Sequence, residues 1–422
     1  MMAEKLIFIP RLQATKLQKA LETLRIVVLT GARQTGKTTL AKAIGEDEGR
    51  TFVTLDRPES LEAAERNPEA LWHGLDRITI DEVQRSPRLL DYLKIEVDRN
   101  PKKGRFLLTG SANLLLMASI SDSLAGRAGY ITLPPLTLAE RLARPEGSLL
   151  RLLLEAGDTA AVLKRKGDFP VAEGFVLVRA VFEGGFPEAI GLPDEDAMDL
   201  WRESYVATYI ERDLRNLSQI ADLPDFLRLL RLSLDRSGQL VNIDGLARDA
   251  GISSSTARRW LNLLEVSFQV QKLAPYCAGT AKRLVKSPKL YAGDSGLACH
   301  LCGIRTSRDL ATSPRLGALC ETFLYQHLTA YAELMPGSPR IFFWRTARGR
   351  EVDFVLEAAD RLLPIEVKTS RTLGARDYAG LQEFLGEYPR TAPFGVVFYD
   401  GEEWLRPAMN ILAIPWSSFA AN

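Results

Sequence analysis

Four cysteines in 422 residues are too few for a disulfide framework. A formal net charge of +1 removes any global basic signal for nucleic acid, so a site of that kind has to be local. No stretch approaches the ~18 apolar residues that a bilayer span needs. The opening MMAEKLIFIPRLQ holds only a short apolar run broken by Pro10, too short for a secretory leader. These absences point to a reducing cytoplasm and away from a membrane. Cys299 and Cys302 have a zinc-ligand spacing, but GLACHLCG reads as a helix whose small thiols pack inward. The remaining composition, 46% hydrophobic and 25% charged, is that of a folded chain, and the length predicts several domains.

The first third of the chain alternates β-rich runs with helical stretches. IVVLT (26–30), FVTLD (52–56), ITID (78–81) and RFLLTG (105–110) are continuous enough to be buried on both faces. That rhythm predicts a parallel sheet covered by helices on both sides. GARQTGKT sits between the first run and a helix and matches G-x-x-x-x-G-K-[ST], the phosphate-cradling loop. Gly31, Ala32, Arg33, Gln34, Thr35 and Gly36 form the loop, the two glycines letting successive N–H groups turn inward. Lys37 supplies a point charge for the β- and γ-phosphates of ATP. Thr38 offers a hydroxyl to Mg²⁺, and Thr39 continues the helix start that faces the anion. ITID ends in Asp81, a carboxylate for the Mg²⁺ shell, and Glu82 follows as the group that polarises water. RFLLTGSAN ends in Thr109, Ser111 and Asn113, of which Ser111 is taken as catalytic. Polar groups there either sense the γ-phosphate or cap the turn.

GARQTGKTTL, VTLDRPE, ITIDEVQRSPRLLDYLK, FLLTGSANLL, SLAGRAG and LPPLTLAE, read in order, resemble a bacterial and archaeal family of AAA-type ATPases with a C-terminal domain of unknown function. The resemblance continues through GGFPEAI, YIERDL and YAGDSGLACHL and covers most of the chain. It implies that Arg127, just before a fifth strand YITL (130–133), is an arginine finger reaching a neighbouring subunit in a homo-oligomer, commonly a ring. The other reading of Arg127 is an ion pair bracing the lid. Arg212 and Arg215 are candidate sensors.

VNIDGLARDAGISSSTARRWLNLLEVSFQVQKL (241–273) has the pattern of a helix-turn-helix within a winged-helix unit. Residues 240–290 carry eight basic side chains (Arg248, Arg258, Arg259, Lys272, Lys282, Arg283, Lys286 and Lys289) against three acids (Asp244, Asp249 and Glu265). That local surplus points to DNA, duplex or branched, while a protein partner stays open for such a module. Further on, GREVDFVLEAADRLLPIEVKTS (349–370) reads as a hairpin turning at Ala359-Asp360, with Asp353 opposite Glu366. Glu321 on the preceding helix, Asp353, Glu366 and Lys368 resemble a restriction-endonuclease core, in which the acids hold a second Mg²⁺. The same fold also serves as an inactive module.

The sequence therefore predicts an α/β chain. An AAA-type P-loop core takes 1–145, a helical lid or linker 146–235, a winged helix 236–300, and a restriction-endonuclease-like domain 301–422. The expected activity is Mg²⁺-dependent ATP hydrolysis coupled to DNA binding or remodelling. The alternatives are a slowly turning nucleotide-gated switch on DNA or protein, and an ATP-dependent nuclease.

Overall fold

The computed structural model describes residues 9–110, 124, 126–143, 148–170, 172–208, 222–277 and 287–420. The chain divides into two compact units, residues 1–135 with 262–269, and residues 136–261 with 270–422. Among the described residues no helix is long and apolar enough to cross a membrane.

The first unit is built on five parallel strands: β1 (Ile26–Thr30), β2 (Thr51–Thr54), β3 (Ile78–Asp81), β4 (Phe106–Thr109) and β5 (Ala128–Thr132). They lie in the order β2-β3-β4-β1-β5. The period of two explains why β1 has no polar face. Ile26 and Val28 pack with Ile78, Ile80, Phe106 and Leu108 on one side of the sheet. Val27 and Leu29 pack on the other side with Leu107 and Ile131. Helices α1 (Gln13–Thr23) and α2 (Lys37–Glu48) bring Leu17, Leu21, Leu40 and Ile44 to that second face. Helix α3 (Pro58–Arg66) and α4 (Leu89–Arg99) serve the first face. Each such aliphatic side chain, fully buried, stabilises the sheet by roughly 1.5–3 kcal/mol. Because all five strands run the same way, their carboxyl ends share one edge, where loops can meet a ligand.

The helices Ile243–Ala250 and Ser254–Val266 are joined by a tight turn at Gly251, whose φ of 75° lies in the left-handed region. The Asn242 side chain caps the first of them, accepting from the Gly245 N–H. The Ser253 hydroxyl accepts from the Thr256 N–H at the start of the second. Strands β6 (Gln239–Leu240), β7 (Val270–Leu273) and β8 (Lys289–Ala292) make an antiparallel sheet in the order β6-β8-β7.

The carboxyl-terminal part holds a six-stranded mixed sheet of β9 (Arg340–Arg345), β10 (Glu351–Ala358), β11 (Arg361–Val367), β12 (Gly395–Tyr399), β13 (Leu405–Ala408) and β14 (Ile411–Pro415). The order is β13-β14-β12-β11-β10-β9. The hairpin β10–β11 closes at Ala359, with φ 52°, and Asp360. Its ladder runs from Ala358 opposite Arg361 to Phe354 opposite Ile365. One further step along that register brings Asp353 beside Glu366. The long helix Leu316–Ala332 supplies Glu321, and the helix Ala379–Glu387 packs on β10 and β11. No two of the four cysteines are joined in a disulfide, and Cys299 lies buried in the helix Ser295–Leu301.

Candidate active site

The P-loop emerges from β1 on the carboxyl edge of the sheet. Gly31, at φ 146°, runs against the loop after β5: a Cβ there would stand 2.4 Å from the Leu133 carbonyl oxygen. Gln34 and Gly36 take positive φ, 62° and 92°, so the chain coils before α2 begins at Lys37. The first turn of α2 carries no acid, which leaves its N–H groups and positive dipole end available to an anion. Ala32 and Thr35 are buried, while Arg33, Gln34 and Thr39 are exposed. The Thr35 hydroxyl donates to the Ala32 carbonyl at 3.0 Å, fixing the coil from within.

Lys37 is 7% exposed, and its ammonium donates to the carbonyls of Gly31 at 3.1 Å and Ala32 at 2.6 Å. Burial pushes its pKa down to about 8, against the opposing pull of Glu82 and Asp81. Asp81 is buried at the end of β3. It accepts from the Thr38 hydroxyl at 3.0 Å and from the Thr109 hydroxyl at the tip of β4. The sequence leaves Thr109 between two roles, and the structure puts it on the carboxylate. A hydroxyl and a carboxylate on one oxygen-rich edge are the donor set that a hard divalent cation takes, so the residues fit Mg²⁺. Glu82 follows in the left-handed conformation, φ 57° and ψ 42°, and the Gln84 amide donates to its carboxylate. Burial raises its pKa, partly offset by that hydrogen bond.

One residue that sequence reasoning missed closes the loop. Arg11, 7% exposed just ahead of α1, donates from Nη1 to the Thr35 carbonyl and from Nη2 to the Pro134 carbonyl, both at 2.6 Å. No motif marks it. Asp56, just after β2, pairs with Arg85 at 2.7 Å. Arg127 precedes β5, whose Ala128 pairs with Ile26, so it stands at the amino edge of the sheet, opposite the P-loop. Its Nε and Nη2 both lie 2.8 Å from the carboxylate of Asp98 in α4, an ion pair within the sheet unit and not with the lid. Arg127 is therefore not brought to the nucleotide site of its own chain. Ser111, Asn113, Arg212 and Arg215 lie outside the described residues.

The basic surplus around the helix pair is smaller than the sequence suggests. Arg258 and Arg259 are exposed on the second helix, but Lys289 is 2% exposed, and Lys282, Arg283 and Lys286 lie outside the described residues. The Lys289 ammonium is turned inward, 3.5 Å from Glu321 and in contact with Glu351. Burial alone would lower its pKa, yet Glu321, Asp353 and Glu351 together raise it. Two positions along β8, the Tyr291 hydroxyl donates to Glu321 at 2.8 Å. The same burial, with Asp353 close by, pushes Glu321 up to about 7.

Asp353 accepts the Val367 N–H at 2.8 Å, and Glu366 accepts from the Lys368 ammonium at 2.9 Å. Glu366 is held well above the usual carboxylate range, first by burial and then by the nearby charge of Asp353. The structure thus brings Glu321, Asp353, Glu366 and Lys368 into one cluster, with a lysine among the acids. Among the described residues no three His, Cys, Asp or Glu side chains are placed to hold a metal ion.

The profile of an AAA domain matches residues 23–142, and two domains of unknown function, DUF8612 and DUF4143, match 175–308 and 316–419. The uncharacterized protein Rv2008c of Mycobacterium tuberculosis is 32% identical over 361 residues, spanning 85% of this chain and 74% of that one. Mb2031c of Mycobacterium bovis, also uncharacterized, matches to the same extent. Among solved structures, the Walker-type ATPase PABY2304 of Pyrococcus abyssi aligns with a TM-score of 0.40 at 13% identity, over 70% of this chain and 96% of that one. AMPPCP-bound DnaA of Aquifex aeolicus aligns at 0.25 and 16% identity, over 59% and 86%. Both structural likenesses are weak. With the P-loop between β1 and α2 and the AAA-domain match around it, the chain belongs, together with Rv2008c, to a family of AAA-type P-loop ATPases that carry a C-terminal domain of unknown function.

Proposed function

We propose that the protein binds ATP with Mg²⁺ in the P-loop and hydrolyses it, and that turnover is coupled to DNA held by the helix pair 243–266 in a winged-helix arrangement. The observation that carries the first half is the convergence of Lys37, Thr38, Asp81 and Glu82 on the carboxyl edge of the sheet. Lys37 and the N-terminus of α2 hold the phosphates. Thr38 and Asp81 would hold Mg²⁺, which neutralises phosphate charge when bound. Glu82 orients and polarises the attacking water, its raised pKa bringing it nearer the range of a working base.

Support for the second half is local. Arg258 and Arg259 are exposed on one face of the second helix, while Ala257, Trp260 and Leu261 are buried on the other, the division a groove-reading helix needs. Arg127, at the sheet edge opposite its own P-loop, is proposed to serve a neighbouring subunit's nucleotide by exchanging Asp98 for phosphate in an oligomer.

The test is steady-state ATP hydrolysis by the full chain without nucleic acid, with duplex and with forked DNA, Glu82→Gln serving as the blank. Stimulation by DNA of about tenfold, equivalent to 1.4 kcal/mol of barrier, and its loss in Arg258→Ala/Arg259→Ala, is the expected result. Hydrolysis indifferent to every DNA would overturn the coupling and leave the ATPase reading in place.

A further inference from the structure

The acid cluster of the carboxyl-terminal sheet plays no part in the proposed ATPase. Four carboxyl groups meet there: Glu321, Glu351, Asp353 and Glu366. Buried carboxylates this close repel one another unless cations or protons lie among them. The structure supplies the cations. Lys289 reaches Glu321 and Glu351, Lys368 reaches Glu366, and Arg345 stands 3.4 Å from Glu351. Three cations thus lie among the four carboxyls without any ion from solution.

The placement of Lys289 decides between a charge-balanced core and a metal site. Its ammonium is buried, lies over the Phe343 ring at 5.5 Å, and is aimed at the same oxygens that a divalent ion bridging the helix and β10 would need. Tyr291, fully buried between Tyr325 and Phe354, donates its hydroxyl to Glu321 Oε2. Val367 takes one oxygen of Asp353 with a backbone N–H. Nor can Glu366 swing freely, because Gly380 of the adjacent helix is so close that even a Cβ there would stand 2.9 Å from Glu366 Oε1. A magnesium ion entering this arrangement would have to expel Lys289, leaving a buried, unpaired ammonium behind.

We infer that Lys289 is the resident cation of this acid cluster, so that β8 ties itself to the helix Leu316–Ala332 and to β10 through a tethered ammonium and the domain binds no divalent metal there. The inference is independent of the ATPase reading.

The probe is Mn²⁺, followed by its spin-resonance signal in titrations of the full chain without nucleotide. Wild type and Asp353→Asn are expected to bind Mn²⁺ alike, the P-loop's share cancelling because Thr38 and Asp81 are untouched in both. Lys289→Met, which leaves the acids without their ammonium, is expected to gain a site at least about tenfold tighter than anything in wild type, and adding Asp353→Asn should remove it. A Mn²⁺ site present in wild type and lost in Asp353→Asn would overturn the inference, as would a folded Lys289→Met with no gain. If Lys289→Met does not fold, the comparison of wild type with Asp353→Asn still decides. Lys289→Arg, which keeps the charge, is expected to fold and to gain no site.

Discussion

Arg11 and Thr35, 24 positions apart, are joined by a 2.6 Å hydrogen bond from guanidinium to carbonyl, and the other arm of the same guanidinium holds Pro134. The bridge fixes the P-loop against the loop that follows β5. A buried hydrogen bond from a charged donor contributes roughly 1.5–3 kcal/mol. Arg11→Ala is therefore expected to weaken binding of a fluorescent ATP analogue by about ten- to a hundredfold. Arg11→Lys should recover little, since a point ammonium cannot span two carbonyls as the planar fork does. An affinity within twofold of wild type for Arg11→Ala would show that the loop holds its shape without the bridge.

Two glycines separate strain from close packing. Gly49 ends α2 at φ 63°, and a Cβ there would meet nothing within 4 Å, so Gly49→Ala pays only the left-handed conformation, roughly 1 kcal/mol. Gly31→Ala meets the Leu133 backbone as well and should cost more, with nucleotide binding lost. Urea midpoints for both variants and one nucleotide titration check the ranking; equal losses would contradict it.

Glu82 is expected to act after binding. Glu82→Gln should keep ATP affinity within about twofold while turnover falls by roughly 10²–10⁴, the range of a removed general base. Equal loss of binding and turnover would assign Glu82 to the shape of the loop instead.

His327 gives the stability a pH dependence. Its Nδ1–H donates to the Phe323 carbonyl at 2.7 Å and its Nε2 accepts the Leu138 N–H at 2.9 Å, so the ring is neutral in the fold. Burial lowers its pKa from 6.5 to about 4. The unfolded chain takes up a proton near pH 6.5, whereas the folded chain waits until about 4. Its contribution is thus full above 6.5 and is lost as the pH falls towards 4. At pH 5 the loss is about 2 kcal/mol. Urea unfolding of wild type and His327→Gln at pH 7.5, 6 and 5 should show the variant less sensitive to acid; parallel losses would place the sensitivity elsewhere.

What can be read from the chain is local. The P-loop, the strand ending in Asp81 and the parallel sheet announce themselves because their signals lie within a few residues of one another, and the β10–β11 turn follows from the two-residue gap between two runs. Arg11 and Lys289 cannot be read, for one reason. Each is a cation whose partners are distant in sequence, 24 and 123 positions away for Arg11. No local period distinguishes a buried lysine from an exposed one, so the sequence groups Lys289 with a basic surface it does not join. Thr109 stands between two roles because only the sheet order, with β4 next to β3, brings it to Asp81.

That sheet order also sets a timetable. β1 bonds to β4 on one side and β5 on the other, and Phe106, the partner of Ile26, is made roughly 80 residues later. At about 5–20 residues per second of synthesis, the strand that leads into the P-loop waits several seconds with both edges bare. A new chain of this protein passes through an interval in which β1, aliphatic at four of its five positions, has no neighbour. Helper proteins that shield exposed strands on the ribosome would have their greatest effect on yield in that interval.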